Sequence, residues 1–243
     1  MLFTRIRFVF FLQRRHSERC VPPGGIYPSS LLQMFEAVFF DFGGVISSSP
    51  FDAFAAYEVR SDLPPGTLRK INSRNSDLNA WAHLERGQLS IEQFVHEFES
   101  EALDLGYAVD GMQVLSCLSG EIRPAMVEAV RRCQQQLGTA LLTNNFVAAS
   151  PHWSSGGSFE ALLPLFDVVV ESSTAGCRKP ELRFYEVALQ QMKVEPAHVI
   201  FLDDLGINLK PARQLGMTTI KVTEPTVAIQ ELETLLGFSL SEH

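Results

Sequence analysis

Four stretches of this chain place a carboxylate, hydroxyl, amide or ammonium group directly beyond an apolar run or in a loop between runs. Asp41 follows Ala37-Val38-Phe39-Phe40 and precedes Phe42-Gly43-Gly44. Thr143, Asn144 and Asn145 close the run that begins at Thr139. Lys179 lies in the loop Gly176-Cys177-Arg178-Lys179-Pro180. Asp203 and Asp204 end a further run, and Asn208 follows them. A carboxylate in such a place can act as a nucleophile or hold a hard cation, which prefers oxygen ligands. A lysine can neutralise a phosphate as a point charge. The glycine pair lets the backbone turn tightly and come close to a ligand. Taken singly, each stretch also has an ordinary reading, because Asp, Thr and Asn cap helices and close turns. The adjacent acids Asp203 and Asp204 are the least ordinary, since burying two carboxylates is costly unless they are paired or bind a metal.

The elements that must position these groups are legible as five short runs, at residues 37–42, 139–143, 168–171, 199–202 and 218–222. They are rich in Val, Phe, Ile and Leu and lack polar alternation, the pattern of strands buried on both faces. Helical periodicity separates the later runs, at residues 125–137, 181–192 and 208–215. Strands alternating with helices predict βαβ units: an α/β fold with a Rossmann-like parallel sheet flanked by helices. Ligands of such sheets bind beyond the carboxyl ends of the strands, the edge that Asp41, Thr143 and Asp203 would share. Residues 51–120 differ, showing helical patterns and no strand. Ser90-Ile91-Glu92-Gln93 is a capping box, in which Ser and Gln satisfy each other's backbone amides. Ile91, Phe94, Val95 and Phe98 then form one apolar stripe. The expected organisation is a leader at 1–33, a core at 34–50 and 121–243, and an all-helical cap at 51–120.

Composition narrows the function classes. A net charge of −8 argues against general nucleic-acid binding, and a 46% hydrophobic fraction supplies a core. The four cysteines form no C-x-x-C pair, and the histidines form no H-x-H or H-E-x-x-H pattern, so neither a disulfide framework nor a histidine-held metal is expected. The apolar run at residues 8–12 is far shorter than the roughly 20 residues that span a bilayer, and no membrane association is expected. The first 33 residues carry five arginines against one acid, Glu18. This is the composition of a mitochondrial transit peptide; a disordered leader or a misjudged start codon reads equally well. A mitochondrial and a cytoplasmic location both stay open.

The four chemistry-bearing stretches, in this order, resemble the motifs of the haloacid-dehalogenase superfamily. The stretch from Phe201 to Arg213 looks like the fourth motif of the N-terminal phosphatase domain of soluble epoxide hydrolases, and Asp41-Phe42-Gly43-Gly44-Val45 looks closer to bacterial phosphatase-like relatives. The resemblance runs from about Phe35 to Leu240. It implies a Mg²⁺-dependent phosphatase acting on a small phosphorylated metabolite, a phosphomonoester. In that pattern Asp41 forms an aspartyl-phosphate, Thr143 binds the transferring group with Asn144 nearby, and Lys179 neutralises charge. Asp41, the Gly43 carbonyl and Asp204 hold Mg²⁺, with Asp203 as ligand or supporting residue, and Asn208 lines the same edge. One position departs from the pattern: family phosphatases carry a second Asp two residues beyond the nucleophile as proton donor, and here that residue is Gly43. General acid–base catalysis is typically worth about 10²–10⁴-fold, so slow turnover of alkyl phosphates is expected unless a cap acid such as Asp52 or Glu85 substitutes. A catalytically silent domain that binds phosphate ligands or partners is the alternative. Among cap residues, Phe51, Trp81 and Arg86 are candidate substrate contacts. Whether the chain is a monomer or a homodimer, or a standalone protein or a part of a longer one, stays open. No epoxide or acyl-CoA chemistry is expected of it.

Overall fold

A computed structural model describes residues 35–145 and 158–241; the leader at 1–33, with both its readings, lies outside them. The described chain is built on β1 (Ala37–Phe40), β2 (Gly138–Thr143), β3 (Val168–Glu171), β4 (Val199–Asp203) and β5 (Thr218–Lys221). All four strand pairings are parallel, in the order β3-β2-β1-β4-β5. β1 is therefore central, and its four residues are all fully or almost fully buried.

Successive side chains of a strand point to opposite faces, and β1 divides its residues accordingly. Val38 and Phe40 join a core with Leu141, Ile200 and Leu202, covered by α6 (Pro124–Gln136) and α11 (Pro225–Leu236). Ala37 and Phe39 join the opposite core with Ala140, Leu142, Val199 and Phe201, covered by α9 (Leu182–Met192) and α10 (Gly206–Leu215). This two-sided burial is the reason the strand sequences show no polar alternation. Each fully buried large apolar side chain in these two layers contributes about 1.5–3 kcal/mol to holding the sheet together.

Between β1 and α6 the chain forms five α-helices: α1 (Pro50–Arg60), α2 (Thr67–Ser73), α3 (Ala80–Glu85), α4 (Ile91–Leu103) and α5 (Gly111–Ser116). They enclose a separate core of Phe54, Tyr57, Leu68, Ile71, Trp81, Phe94, Phe98 and Leu115. Trp81 packs edge-on to Phe94 with ring centroids 4.9 Å apart, and Phe94 stacks on Phe98 at 5.3 Å. The capping box forms: Gln93 N–H donates to Ser90 Oγ at 3.2 Å, and Ser90 N–H donates to Gln93 Oε1 at 2.8 Å. Buried Glu58 caps the start of α2, accepting from Gly66 N–H at 2.7 Å and Leu68 N–H at 2.8 Å. The insertion leaves and rejoins the sheet domain where Ser47 bridges Ile122 and Ser48 N–H donates to Glu121 O at 2.8 Å.

The first strand is shorter than its apolar run. β1 stops at Phe40 because the chain coils through Phe42–Ile46, with Gly44 at φ +76° and Ser47 N–H donating to Phe42 O at 2.9 Å. An apolar residue such as Phe42 does not by itself extend a strand when the following glycines close a turn. Two short helices that periodicity did not reveal complete the chain, α7 (Ser158–Leu162) and α8 (Ser172–Ala175). No helix among the described residues is long and apolar enough to cross a membrane.

Candidate active site

The carboxyl ends of β1, β2 and β4 converge with the loop before α9. Asp41 N–H donates to Leu202 O at 2.9 Å, which extends the β1–β4 ladder by one bond and fixes the Asp41 backbone at the sheet edge. Asp41 Oδ1 accepts from Phe42 N–H at 2.7 Å and from the Lys179 ammonium at 2.7 Å. The same ammonium donates to Asp203 Oδ2 at 2.8 Å. Lys179 is 2% exposed and Asp203 is 0% exposed, so this bridge is shielded from solvent and its charges interact strongly.

Lys179 is aimed by Asn144. Lys179 N–H donates to Asn144 Oδ1 at 2.9 Å, and Asn144 Nδ2 donates to Lys179 O at 3.0 Å. A side chain at the end of β2 thus clamps the backbone of the loop that carries the lysine. Thr143, the last residue of β2, is buried and lines the same cavity.

The two acids after β4 differ in how their oxygens are used. Asp203 accepts from Lys179, from Leu205 N–H at 2.8 Å and, on both oxygens, from Asn208 Nδ2 at 3.1 Å. A carboxylate offers about four lone-pair sites, so Asp203 is saturated. Asp204 takes a long contact of 3.5 Å from Ser49 Oγ. One oxygen from each of Asp41, Asp203 and Asp204 lies within 4.8 Å of the others.

Crowding sets the titration of this cluster. Burial raises the Asp41 carboxyl well above the ordinary carboxylate range; Lys179 opposes that, and Asp203 adds to it. Burial, reinforced by Asp203, pushes Asp204 up to about 6. Burial pulls the Lys179 ammonium down, but Asp203 and Asp41 outweigh it and hold its pKa above the ordinary value. Charged lysine between carboxylates is the state the geometry favours.

These groups open on a cavity of about 610 Å³. Asp41, Gly43, Thr143, Asn144, Lys179, Asp204 and Asn208 all line it. Asp203 lies behind them and supports Lys179. The helical insertion supplies the opposite wall, with Phe51, Phe54, Asn72, Trp81, Glu85 and Leu115. Of the cap residues considered from sequence, Phe51, Trp81 and Glu85 line the cavity. Arg86 is not among the lining residues; it pairs with Glu181 at 2.7 Å. Asp52 is likewise not among them. Sequence reasoning missed Arg178, which lines the cavity and pairs with Glu85 across 93 residues, and Ser49, which touches Asp204. No local pattern marks such contacts.

Residues 35–216 match the family model of haloacid dehalogenase-like hydrolases. The chain belongs to this family. Over 216 residues it is 41% identical to mouse acyl-CoA dehydrogenase family member 10, covering 85% of this chain and 20% of the mouse protein. Over 217 residues it is 31% identical to pig bifunctional epoxide hydrolase 2, covering 84% of this chain and 39% of the pig protein. The chain thus spans well under half the length of these two relatives. A sesquiterpene phosphatase of Aspergillus oryzae is 30% identical over 206 residues, 84% of this chain and 97% of that protein. Solved haloacid dehalogenase-like structures share the fold. A predicted hydrolase of this type from Porphyromonas gingivalis superimposes with a TM-score of 0.60 at 24% identity, over 82% of this chain and 98% of its own. A Bacteroides thetaiotaomicron family member, solved with magnesium and inorganic phosphate, gives 0.54 at 17% identity, over 78% and 96%.

Proposed function

We propose that the chain is a Mg²⁺-dependent phosphatase that hydrolyses a small phosphomonoester through an aspartyl-phosphate on Asp41. The observation that carries this reading is the Asp41–Lys179–Asp203 bridge on the cavity floor, with Asp204 beside it. Relatives named as phosphatases and a fold neighbour solved with magnesium and phosphate support it.

The donor set fits a hard divalent cation. Three carboxylates against one ammonium leave a net charge of −2, and oxygen ligands suit Mg²⁺. Asp203 has spent its lone pairs on Lys179, Leu205 and Asn208. Asp41, Asp204 and the Gly43 carbonyl are therefore the residues that would hold the ion, with Asp203 as support. When bound, Mg²⁺ supplies charge neutralisation for the phosphoryl oxygens.

The remaining work falls to the chain's own residues. Lys179 and Thr143 hold the phosphate against Asp41, with Asn144 keeping Lys179 in place. An Asp41 oxygen attacks phosphorus, and the bond to the leaving oxygen breaks. Water then attacks phosphorus, releasing inorganic phosphate and restoring the carboxylate. Splitting the displacement in two is the benefit of covalent catalysis. The helical insertion acts as a cap that excludes water and contacts the organic group. The cavity far exceeds the needs of a phosphate alone, and its apolar residues Phe51, Phe54, Leu115, Leu118, Phe159 and Leu163 suit a substrate with a hydrocarbon portion. A silent, phosphate-binding domain is the second reading, and Gly43 is the observation that favours it.

The test is hydrolysis of 4-nitrophenyl phosphate with Mg²⁺ and with chelator, beside Asp41→Asn. Metal-dependent turnover that the variant lacks is expected. Turnover no greater than that of Asp41→Asn would reject the enzyme and leave the binding reading.

A further inference from the structure

Gly43 leaves a vacancy in proton chemistry that its surroundings do not fill. It has φ −68° and ψ 128°, and a Cβ built on it would meet only Pro50 Cδ, at 3.9 Å. No neighbouring side chain has moved in to replace an acid there. Across the cavity, however, the last residue of α3 is a half-buried carboxylate. Glu85 Oε2 takes both of its hydrogen bonds: one from Asn144 Nδ2 at 3.3 Å and one from Arg178. Oε1 makes no hydrogen bond among the described residues, and Glu85 lines the cavity.

That anchoring ties Glu85 to the reacting centre. Asn144, its partner, is the residue that clamps the Lys179 backbone, and Lys179 contacts Asp41. The cap carboxylate is thus connected to the nucleophile through two intermediate residues, Asn144 and Lys179. A purely mechanical role is served elsewhere, since the adjacent Arg86 pairs with Glu181 and joins the same helix to the sheet domain outside the cavity lining. Burial raises the Glu85 carboxyl against the pull of Arg178, Lys179 and Arg86.

We propose that Glu85 performs the proton transfers that Gly43 cannot. The assignment rests on the phosphatase reading above. In the first step the Asp41 oxygen bonds to phosphorus and the bond from phosphorus to the ester oxygen breaks. The electron pair stays on that oxygen, which takes the Glu85 proton and leaves as an alcohol. In the second step water gives a proton to the Glu85 carboxylate while its oxygen bonds to phosphorus. The Asp41–phosphorus bond breaks, and phosphate departs.

The test compares Glu85→Gln with the parent on 4-nitrophenyl phosphate and n-butyl phosphate in Mg²⁺. The kcat/KM for each ester reports only the steps up to formation of the phosphoenzyme. The nitrophenolate group leaves without a proton, whereas the butoxide needs one. Glu85→Gln should lose about 10²–10⁴-fold in kcat/KM on the butyl ester and keep most of it on the aryl ester, with a burst of nitrophenolate as the second step slows. Adding Gly43→Asp to Glu85→Gln should restore butyl ester hydrolysis, because the backbone of residue 43 is ordinary and a Cβ there meets only Pro50 Cδ, at 3.9 Å. Equal losses on both esters, or no rescue by Gly43→Asp, would overturn the assignment to Glu85 and leave the phosphatase reading intact. Absence of aryl ester turnover by the parent would overturn both.

Discussion

Gly43 and Gly44 are neighbours in the sequence, yet alanine at each should act in opposite directions. Gly44 sits at φ +76°, where an L side chain is strained, and its added Cβ would run into the Asp204 carboxylate, with Asp204 Cβ only 3.0 Å away. The left-handed backbone costs roughly 1–2 kcal/mol with a side chain present. Forcing Asp204 off its rotamer adds about 0.5–1.5 kcal/mol. Gly44→Ala should therefore lose about 2–3 kcal/mol in urea unfolding without metal. Because the displaced group is a proposed metal ligand, the Mg²⁺ concentration for half-maximal activity should also rise about 10–100-fold, the range seen when the surroundings of a ligand are disturbed. Gly43→Ala meets neither obstacle: its φ is ordinary and the space is open. It should be neutral, or more stable by roughly 0.4–1 kcal/mol through restriction of the unfolded chain. Parallel urea titrations and Mg²⁺ activation curves decide the matter. Equal effects of the two substitutions, or an unchanged Mg²⁺ requirement in Gly44→Ala, would refute the reasoning that Gly44 makes room for Asp204.

Three further outcomes follow from the same geometry. Lys179→Met leaves Asp41 and Asp203 without their shared cation; breaking a buried pair costs about 3–5 kcal/mol, measurable as a lower urea midpoint with an unchanged slope. In chelator, the Asp204 carboxyl at about 6 binds its proton more tightly folded than unfolded. That contribution is fully present below the unfolded value of about 4 and is lost as pH rises through about 6, so metal-free stability should fall across that window and Mg²⁺ should restore it above. Thermal melts at a series of pH values, with and without Mg²⁺, test this, and a flat metal-free profile would count against it. Glu58→Ala strips the acceptor from Leu68 N–H inside the helical insertion; an orphaned buried amide costs about 1–3 kcal/mol, seen as faster hydrogen exchange in residues 50–116 while the sheet stays protected.

The sheet was legible because burial on both faces leaves uniformly apolar runs, and the insertion was legible where a capping box starts a periodic helix at Ser90. The end of β1 was not. Phe42 continues the apolar run, and only the backbone of Gly44 shows that the chain has already turned. Asp41 and the paired acids could be picked out as candidates because they sit at strand ends, and Lys179 because it lies in the loop before a helix. Their partners could not. Glu85 meets Arg178 and Asn144 from a separate helical layer, and Ser49 reaches Asp204 from the start of α1. Such contacts are set by how two cores pack, and neither periodicity nor spacing records them.

The charge of the site ties its two ligands together. Asp41, Asp203 and Asp204 face a single ammonium, and burial already raises the carboxyls of Asp41 and Asp204. With all three carboxylates ionised, a phosphate dianion brought to that floor meets a net charge of −2 in a medium where charges act strongly. The single positive charge of Lys179 cannot offset this alone, because it already faces two carboxylates. A divalent cation brings the cluster to neutrality and removes the repulsion. Linkage then requires the converse: phosphate must tighten the cation by the same factor. On the proposed function, inorganic phosphate and Mg²⁺ should each bind weakly alone and together cooperatively. Asp203→Asn removes one carboxylate charge while keeping one of the two acceptor oxygens that Lys179 and Leu205 N–H use, so it should narrow that cooperativity. Independent binding of the two ligands in the parent chain would show that they do not share this floor.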